Sequence, residues 1–221
     1  MSSSPDPADA AARSALVRRG QALTRVTLAY NVLEGIVAVA SALAAGSVAL
    51  LGFGVDSFIE VAASLAALWR LRADPHAGRR ERAERRARRV IGISFLLLAA
   101  YVAADAAQAL WSRTPPGESW PGIGLAIASL VVMPWLARRK RAVAAALHSG
   151  ALTAEARQTD ICFYLSCILL VGLVLNATVG WWWADPVAGL VMVPLIAWEG
   201  VAGLRGRSHC SDCASPSFAS S

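Results

Sequence analysis

The sequence has few charged residues and none of the familiar catalytic motifs. Charged side chains make up only 16% of its 221 residues, hydrophobic ones make up 56%, and the mean hydropathy is +0.50. One soluble core could not bury so many apolar side chains, so the composition excludes an ordinary soluble domain and indicates a protein that lies in lipid. HExxH, GxSxG and comparable nucleophile arrangements are absent, and we therefore expect no enzyme.

Six apolar stretches are long enough to cross a bilayer, because a spanning helix needs about 20 mostly apolar residues. We place them at Thr24–Ala44, Val48–Trp69, Val90–Trp111, Trp120–Ala137, Thr159–Val179 and Ala184–Leu204. Only Ala45–Ser47 separates the first two, which predicts a tight helical hairpin. The prediction is an all-α polytopic membrane protein with a six-helix transmembrane domain over residues 21–205. Residues 1–20 are expected to form a disordered cytoplasmic tail, and residues 206–221 a short cytoplasmic tail.

Positive charges lie almost entirely on one side of these predicted spans. Of 21 Lys and Arg residues, only Arg113 falls in a segment that six crossings place outside. By the positive-inside rule, both termini are expected in the cytoplasm and the protein in the plasma (inner) membrane. The predicted loop Arg70–Arg89 carries nine Arg. Between two membrane helices, such a run indicates a topology determinant at anionic lipid, and no nucleic-acid partner is expected.

Ionisable residues inside membrane spans are costly and indicate functional sites. The second span carries Asp56 and Glu60 four residues apart, which places both carboxylates on one helical face about 6 Å apart. A cation between them, or a proton on one of them, would relieve their repulsion in a low dielectric. The alternative is a pair of buried acids that accept hydrogen bonds from neighbouring helices.

Polar residues form stripes at helical spacing on the first and third spans. They are Thr24, Thr27, Asn31, Glu34 and Ser41 on the first, and Ser94, Tyr101, Asp105, Gln108 and Ser112 on the third. Such stripes need a polar or wet interior, although Ser and Thr could also serve as hydrogen-bond donors between packed helices. Glu34 and Asp105 exceed what interhelical hydrogen bonding requires.

Two segments of the chain resemble the cation diffusion facilitator (cation efflux) family. The first two helices of that family are similar to YNVLEGIVAVASALAAGSVALLGFGVDSFIEVAAS, and its sixth helix is similar to WWWADPVAGLVMVPLIAWEG. The resemblance implies a homodimeric six-helix transporter that exchanges a divalent metal such as zinc for protons. We expect no resident cofactor, and zinc is the transported ion that we favour. The resemblance also implies a tetrahedral metal site from two residues on helix two and two on helix five. The paired acids of helix two map onto Asp56 and Glu60, with Glu in place of the commoner second Asp.

Helix five departs from the family pattern, in which His or Asp is followed four residues later by Asp. One alignment places Gln158 and Cys162 at these positions, and another places Thr159 and Phe163, which cannot form a site. We prefer Gln158 and Cys162 as metal ligands; Gln is a weak ligand, whereas a Cys thiolate favours zinc or softer ions. Cys162 as a small buried hydrophobe is the alternative. The alternative function is a non-transporting membrane regulator or metal-binding protein on this scaffold.

The segment after the sixth span is short, whereas many family members carry a cytoplasmic metal-binding domain there. We therefore expect the transmembrane domain alone, with dimer contacts made by the membrane helices. This tail contains HCSDC, with His209, Cys210 and Cys213. Three such ligands can hold zinc or copper(I) in a reducing cytosol; the alternative is an unstructured end.

Overall fold

All regular structure in the described residues is helical. The computed structural model describes residues 7–72, 77–147 and 150–205, with side chains for residues 14–65, 89–147, 152, 153 and 155–205. The helices are α1 Pro7–Ala45, α2 Val48–Arg72, α3 Ala77–Ser112, α4 Trp120–Leu147, α5 Gly150–Val179 and α6 Ala184–Arg205. Each contains a stretch long and apolar enough to span a membrane. The predicted all-α bundle of six transmembrane helices is confirmed.

Three helices begin earlier than predicted from the sequence, and one of them is α5, which begins at Gly150 instead of Thr159. α1 begins at Pro7, so residues 7–20 are helical, and the predicted disordered tail is wrong there; residues 1–6 lie outside the described residues. α3 begins at Ala77, so most of the predicted Arg-rich loop is a helical extension of α3. Ala and Arg are strong helix formers, and a proline is well tolerated at the first position of a helix. Apolarity indicates where a helix crosses lipid, and it does not indicate where the helix ends.

The fourth helix is longer than its predicted span, and this difference matters for the interior of the bundle. The apolar pattern ends at Ala137, but α4 continues to Leu147 through a basic stretch. Within that extension Lys140 is buried, while Arg138, Arg139 and Arg141 are exposed. The extension of α4 therefore places a buried cation inside the bundle.

The turn between α1 and α2 is tight, as predicted, and a glycine ends α1. Gly46 has a φ of 67°, in the left-handed region that glycine adopts without strain. The amides of Gly46 and Ser47 both donate to the Ala42 carbonyl, at 2.7 and 3.2 Å, a common way to end a helix. We call the end of the bundle that contains this turn the hairpin end. A two-residue turn leaves little freedom in how α1 and α2 face each other.

Asp185 joins the first turn of α6 to the beginning of α2. Its carboxylate accepts hydrogen bonds from the Ser47 hydroxyl (2.5 Å) and the Val48 amide (2.9 Å). The first amides of a helix have no partner within the helix, and a negative charge is favourable beside them. This buried contact therefore fixes α6 to the α1–α2 turn at the hairpin end.

Two facing glycines allow α3 and α6 to pack closely. A Cβ added at Gly200 would lie 2.9 Å from the carbonyl oxygen of Gly92, and one added at Gly92 would lie 2.8 Å from the carbonyl oxygen of Gly200. Small residues at helix contacts in membranes let backbones approach in this way. The α3–α6 contact therefore has no room for a side chain at either position.

The substitution Gly200→Ala should lower the thermal midpoint of the purified protein in detergent. The added methyl would contact backbone, and overpacking of this kind costs about 1–3 kcal/mol. Gly124→Ala is the matched control, because a Cβ there has no atom within 4 Å. That control should keep or raise the midpoint, since Ala is better than Gly inside a helix by about 0.5–1 kcal/mol. Equal midpoints for both variants would contradict the close packing.

Candidate functional site

Five buried residues with cation-binding groups lie between α1, α2 and α5. They are Asn31 and Glu34 on α1, Asp56 and Glu60 on α2, and Cys162 on α5, and none is more than 5% exposed. We call these five residues the acidic cluster. At 1.5 Å of rise per residue, its α1 and α2 members lie roughly 12–21 Å from the hairpin end, which is mid-span for a bilayer.

Two carboxylates of the acidic cluster accept hydrogen bonds from neighbouring helices. The Asn31 amide donates to Glu60 at 2.6 Å, across the α1–α2 contact. Glu34 accepts from Ser57 of α2 at 2.9 Å and from Ser129 of α4. The sequence also allowed that the buried acids only accept hydrogen bonds from neighbouring helices. These hydrogen bonds fit that alternative for Glu60 and Glu34.

Asp56 differs from the other two acids. It is 4% exposed, and no hydrogen bond reaches its carboxylate from any described residue. Its electrostatic neighbours are further acids: Glu60 one turn along α2, Glu34 on α1 and Glu199 on α6. A buried carboxylate without donors and beside like charges needs a cation or a proton to compensate it. The arrangement can therefore attract a cation into the middle of the bundle.

Cys162 brings a sulfur ligand from α5 to the same place. Its thiol is fully buried and lies 3.9 Å from a carboxylate oxygen of Glu34, and it interacts electrostatically with Asp56 and Glu60. Gln158 lies one turn away on α5, is only partly buried, and makes no hydrogen bond to the acidic cluster. Of the four residues predicted from the sequence, the structure thus brings together Asp56, Glu60 and Cys162.

The ligand set itself stays a prediction. Within the part of the chain that the structure describes, no three His, Cys, Asp or Glu side chains are arranged to hold one metal ion. The thiols and imidazole predicted for the tail site, at His209, Cys210 and Cys213, lie outside the described residues.

Asn31 and Glu34 lie on the polar stripe predicted for the first span, but neither was predicted as a site residue. The short α1–α2 turn could have indicated which positions of α1 face α2. Asn31 and Glu60 lie 15 and 13 residues from the two-residue turn, and Glu34 and Ser57 lie 12 and 10 residues from it. Positions at similar distances from a tight turn face each other across an antiparallel pair of helices. The two α1–α2 hydrogen bonds join these same pairs.

A second polar group lies farther from the hairpin end and is centred on Lys140. The ammonium nitrogen is 3.4 Å from a carboxylate oxygen of Glu155 and 3.4 Å from the Thr159 hydroxyl. Thr24 of α1 donates to the same Glu155 oxygen at 2.9 Å. The positive charge also attracts Glu60. This ion pair was not predicted from the sequence, because the predicted fourth span ends before Lys140.

Comparison with known proteins agrees with this architecture. The model of the cation efflux transmembrane domain matches residues 24–205, most of the chain. The chain belongs to the cation efflux family. A curated relative, described as an uncharacterized transporter of Synechocystis sp. (strain ATCC 27184 / PCC 6803 / Kazusa), is 29% identical over 171 residues, which cover 72% of this chain and 54% of the relative. The chain thus spans about half the length of that relative.

Membership in the cation efflux family, together with the six spanning helices, makes this an integral membrane protein. The matched region begins at Thr24 and ends at Arg205, so it includes both the acidic cluster and the Lys140 ion pair. The family match therefore agrees with the family resemblance noted in the sequence.

Replacing Lys140 with Met should destabilise the protein, because it leaves the partly buried Glu155 without its cation. Loss of one partner from a buried ion pair costs about 3–5 kcal/mol. The double variant Lys140→Met/Glu155→Gln should recover much of that loss, since both charges are then gone. Thermal unfolding in detergent would measure all three proteins.

The matched control is the more exposed ion pair of Arg141 and Asp160, in which a guanidinium nitrogen lies 2.6 Å from a carboxylate oxygen. Arg141→Gln should cost no more than about 1 kcal/mol, because water screens exposed ion pairs. An equal loss of stability in Lys140→Met and Arg141→Gln would mean that burial does not govern the Lys140 pair.

Proposed function

We propose that this cation efflux protein carries a divalent metal cation, zinc above all, across the membrane in exchange for protons. The observation that carries the proposal is the burial of Asp56 and Glu60 on one face of a membrane-spanning helix, with the Cys162 thiol in the same cluster. Carboxylate oxygens together with a thiolate sulfur suit Zn²⁺, which binds both ligand types. Gln158, one turn from Cys162, is the fourth candidate ligand.

The exchange follows from competition for the same oxygen atoms. A carboxylate or thiol must lose its proton before it can bind a metal, so metal binding releases protons and protonation releases the metal. In alternating access, the acidic cluster would open to one side of the membrane with metal bound and to the other side with protons bound. Antiport then needs no second ion-binding site.

The surface of the bundle supports one orientation. Exposed tryptophans lie at the hairpin end, where aromatic side chains favour a membrane interface: Trp111, Trp120, Trp181 and Trp183. Exposed Arg138, Arg139 and Arg141 lie toward the opposite end of α4. We therefore propose that the opposite end, with both termini, faces the cytoplasm of a cell with this protein in its plasma (inner) membrane. A homodimer, as the family resemblance implies, belongs to the same proposal.

Asp56→Asn should abolish metal uptake into proteoliposomes while the protein remains folded in the membrane. The substitution keeps the size of the side chain but removes an anionic ligand. Uptake of zinc, cadmium, manganese, iron and copper should be measured with an imposed proton gradient. Asp105→Asn is the matched control, because it makes the same change on α3 outside the acidic cluster. Wild-type uptake by Asp56→Asn would contradict the assignment. If the wild-type protein binds metal but takes none up, the alternative function, a non-transporting membrane regulator or metal-binding protein, is favoured.

Cys162→Ser should reduce zinc and cadmium uptake more than manganese uptake. A hydroxyl oxygen is a harder ligand than a thiolate sulfur, so it discriminates against the softer ions. The control is Cys167→Ser, which changes a less buried thiol one and a half turns away on the same helix. If Cys162→Ser lowers the uptake of all three metals equally, or of none, Cys162 is a packing residue.

A further inference from the structure

Asn31 has a buried side-chain oxygen without a hydrogen-bond donor. The residue is 1% exposed, and its amide nitrogen is committed to Glu60 at 2.6 Å. Among the residues that the structure describes, its Oδ1 is the one side-chain nitrogen or oxygen fully shielded from solvent that has no hydrogen-bond partner. Leaving such an oxygen unpaired costs about 1–3 kcal/mol. An amide oxygen held beside a carboxylate, with no donor of its own, is a suitable ligand for a cation.

Glu34 lies three residues along the same helix and is fully buried. One of its carboxylate oxygens is 3.9 Å from the Cys162 sulfur, so α1 places an acid directly beside the thiol that α5 brings to the cluster. Asp56 and Glu60 both interact electrostatically with this acid. Glu34 therefore connects the carboxylates of α2 to the thiol of α5.

We propose that α1 completes the cation site, with the Glu34 carboxylate and the Asn31 amide oxygen as ligands beside Asp56, Glu60 and Cys162. Glu34 supplies a carboxylate next to Cys162 from a different helix than the carboxylates of α2. This inference rests on the proposed function, since it concerns the same transported cation. In this arrangement Glu34 and Asn31 take the place of Gln158 as ligands, since Gln158 makes no hydrogen bond to the acidic cluster.

The donor set defines the class of cation. Three carboxylates and one amide oxygen are hard ligands, and the single thiol is soft, so the site suits a borderline divalent ion such as Zn²⁺ or Cd²⁺ better than Mg²⁺. Glu34 is at present held by Ser57 and Ser129. Binding would require its side chain to leave these hydroxyls, since no three acid or thiol side chains among the described residues are arranged to hold one metal ion as they stand.

The test uses Cd²⁺ as the probe and Cys162 as the reporter. The chain has four cysteines, so replacing Cys167, Cys210 and Cys213 with Ser leaves Cys162 as the only thiol. Cadmium bound by this thiolate gives a charge-transfer absorbance in the ultraviolet, which can be titrated in detergent. In this background, Glu34→Gln and Asn31→Leu should each weaken Cd²⁺ binding, Glu34→Gln by about tenfold or more.

Two further variants separate ligation from packing. Asn31→Asp keeps an oxygen at the same position, so it should bind Cd²⁺ at least as tightly as the background protein. If Asn31 is purely structural, Asn31→Asp should bind Cd²⁺ more weakly than the background protein, because Asp loses the hydrogen bond to Glu60 and adds repulsion. Asp105→Asn should leave Cd²⁺ binding unchanged.

The results distinguish this inference from the proposed function. If the wild-type protein takes up Zn²⁺ and Asp56→Asn does not, but Glu34→Gln, Asn31→Leu and the background protein bind Cd²⁺ equally, the α1 ligands are wrong and transport stands. If Cys162 gives no cadmium absorbance in the background protein, the inference is overturned. If the wild-type protein takes up no divalent cation, the proposed function fails, and the titration still decides whether α1 supplies ligands.

Discussion

The register of the α1–α2 hairpin determines how the acidic cluster is held inside the bundle. Lipid and apolar side chains offer no hydrogen bonds, so buried carboxylates must find donors on neighbouring helices. The two-residue turn sets Asn31 opposite Glu60 and Glu34 opposite Ser57. One extra residue in α1 would rotate the following positions by about 100° and separate both pairs. The turn and the cluster are therefore parts of one constraint.

The same helices also separate negative charge from positive charge along the bundle. The acidic cluster lies mid-span with Asp56 uncompensated, whereas Lys140 lies farther from the hairpin end and is paired with Glu155. Because Lys140 attracts Glu60 from that side, it lowers the cost of burying the second carboxylate of the α2 pair. The bundle thus keeps an attractive site for a cation without leaving all of its acids unpaired.

The sequence was sufficient to predict the helices and the acids of α2, because both depend on local information. Hydropathy over about 20 residues detects each span, and a spacing of four places Asp56 and Glu60 on one face. Lys140 was missed because a basic residue after an apolar run looks like the start of a loop. The role of α5 could not be decided, because the rotation of a helix about its axis depends on packing. That rotation places Cys162 in the cluster and Gln158 at its edge.

The distribution of ligands over helices has a mechanical consequence for the proposed transport. Four members of the acidic cluster belong to the α1–α2 hairpin, whose helices are in close contact at Gly54 and Ala38. The fifth member, Cys162, belongs to α5, whose most extensive contact is with α4. Such tightly packed pairs tend to move as units. Relative movement of the two pairs would change the distance from Cys162 to the carboxylates and leave the carboxylates in place. The thiol is thus the ligand whose contact with the cation would report which side of the membrane is open.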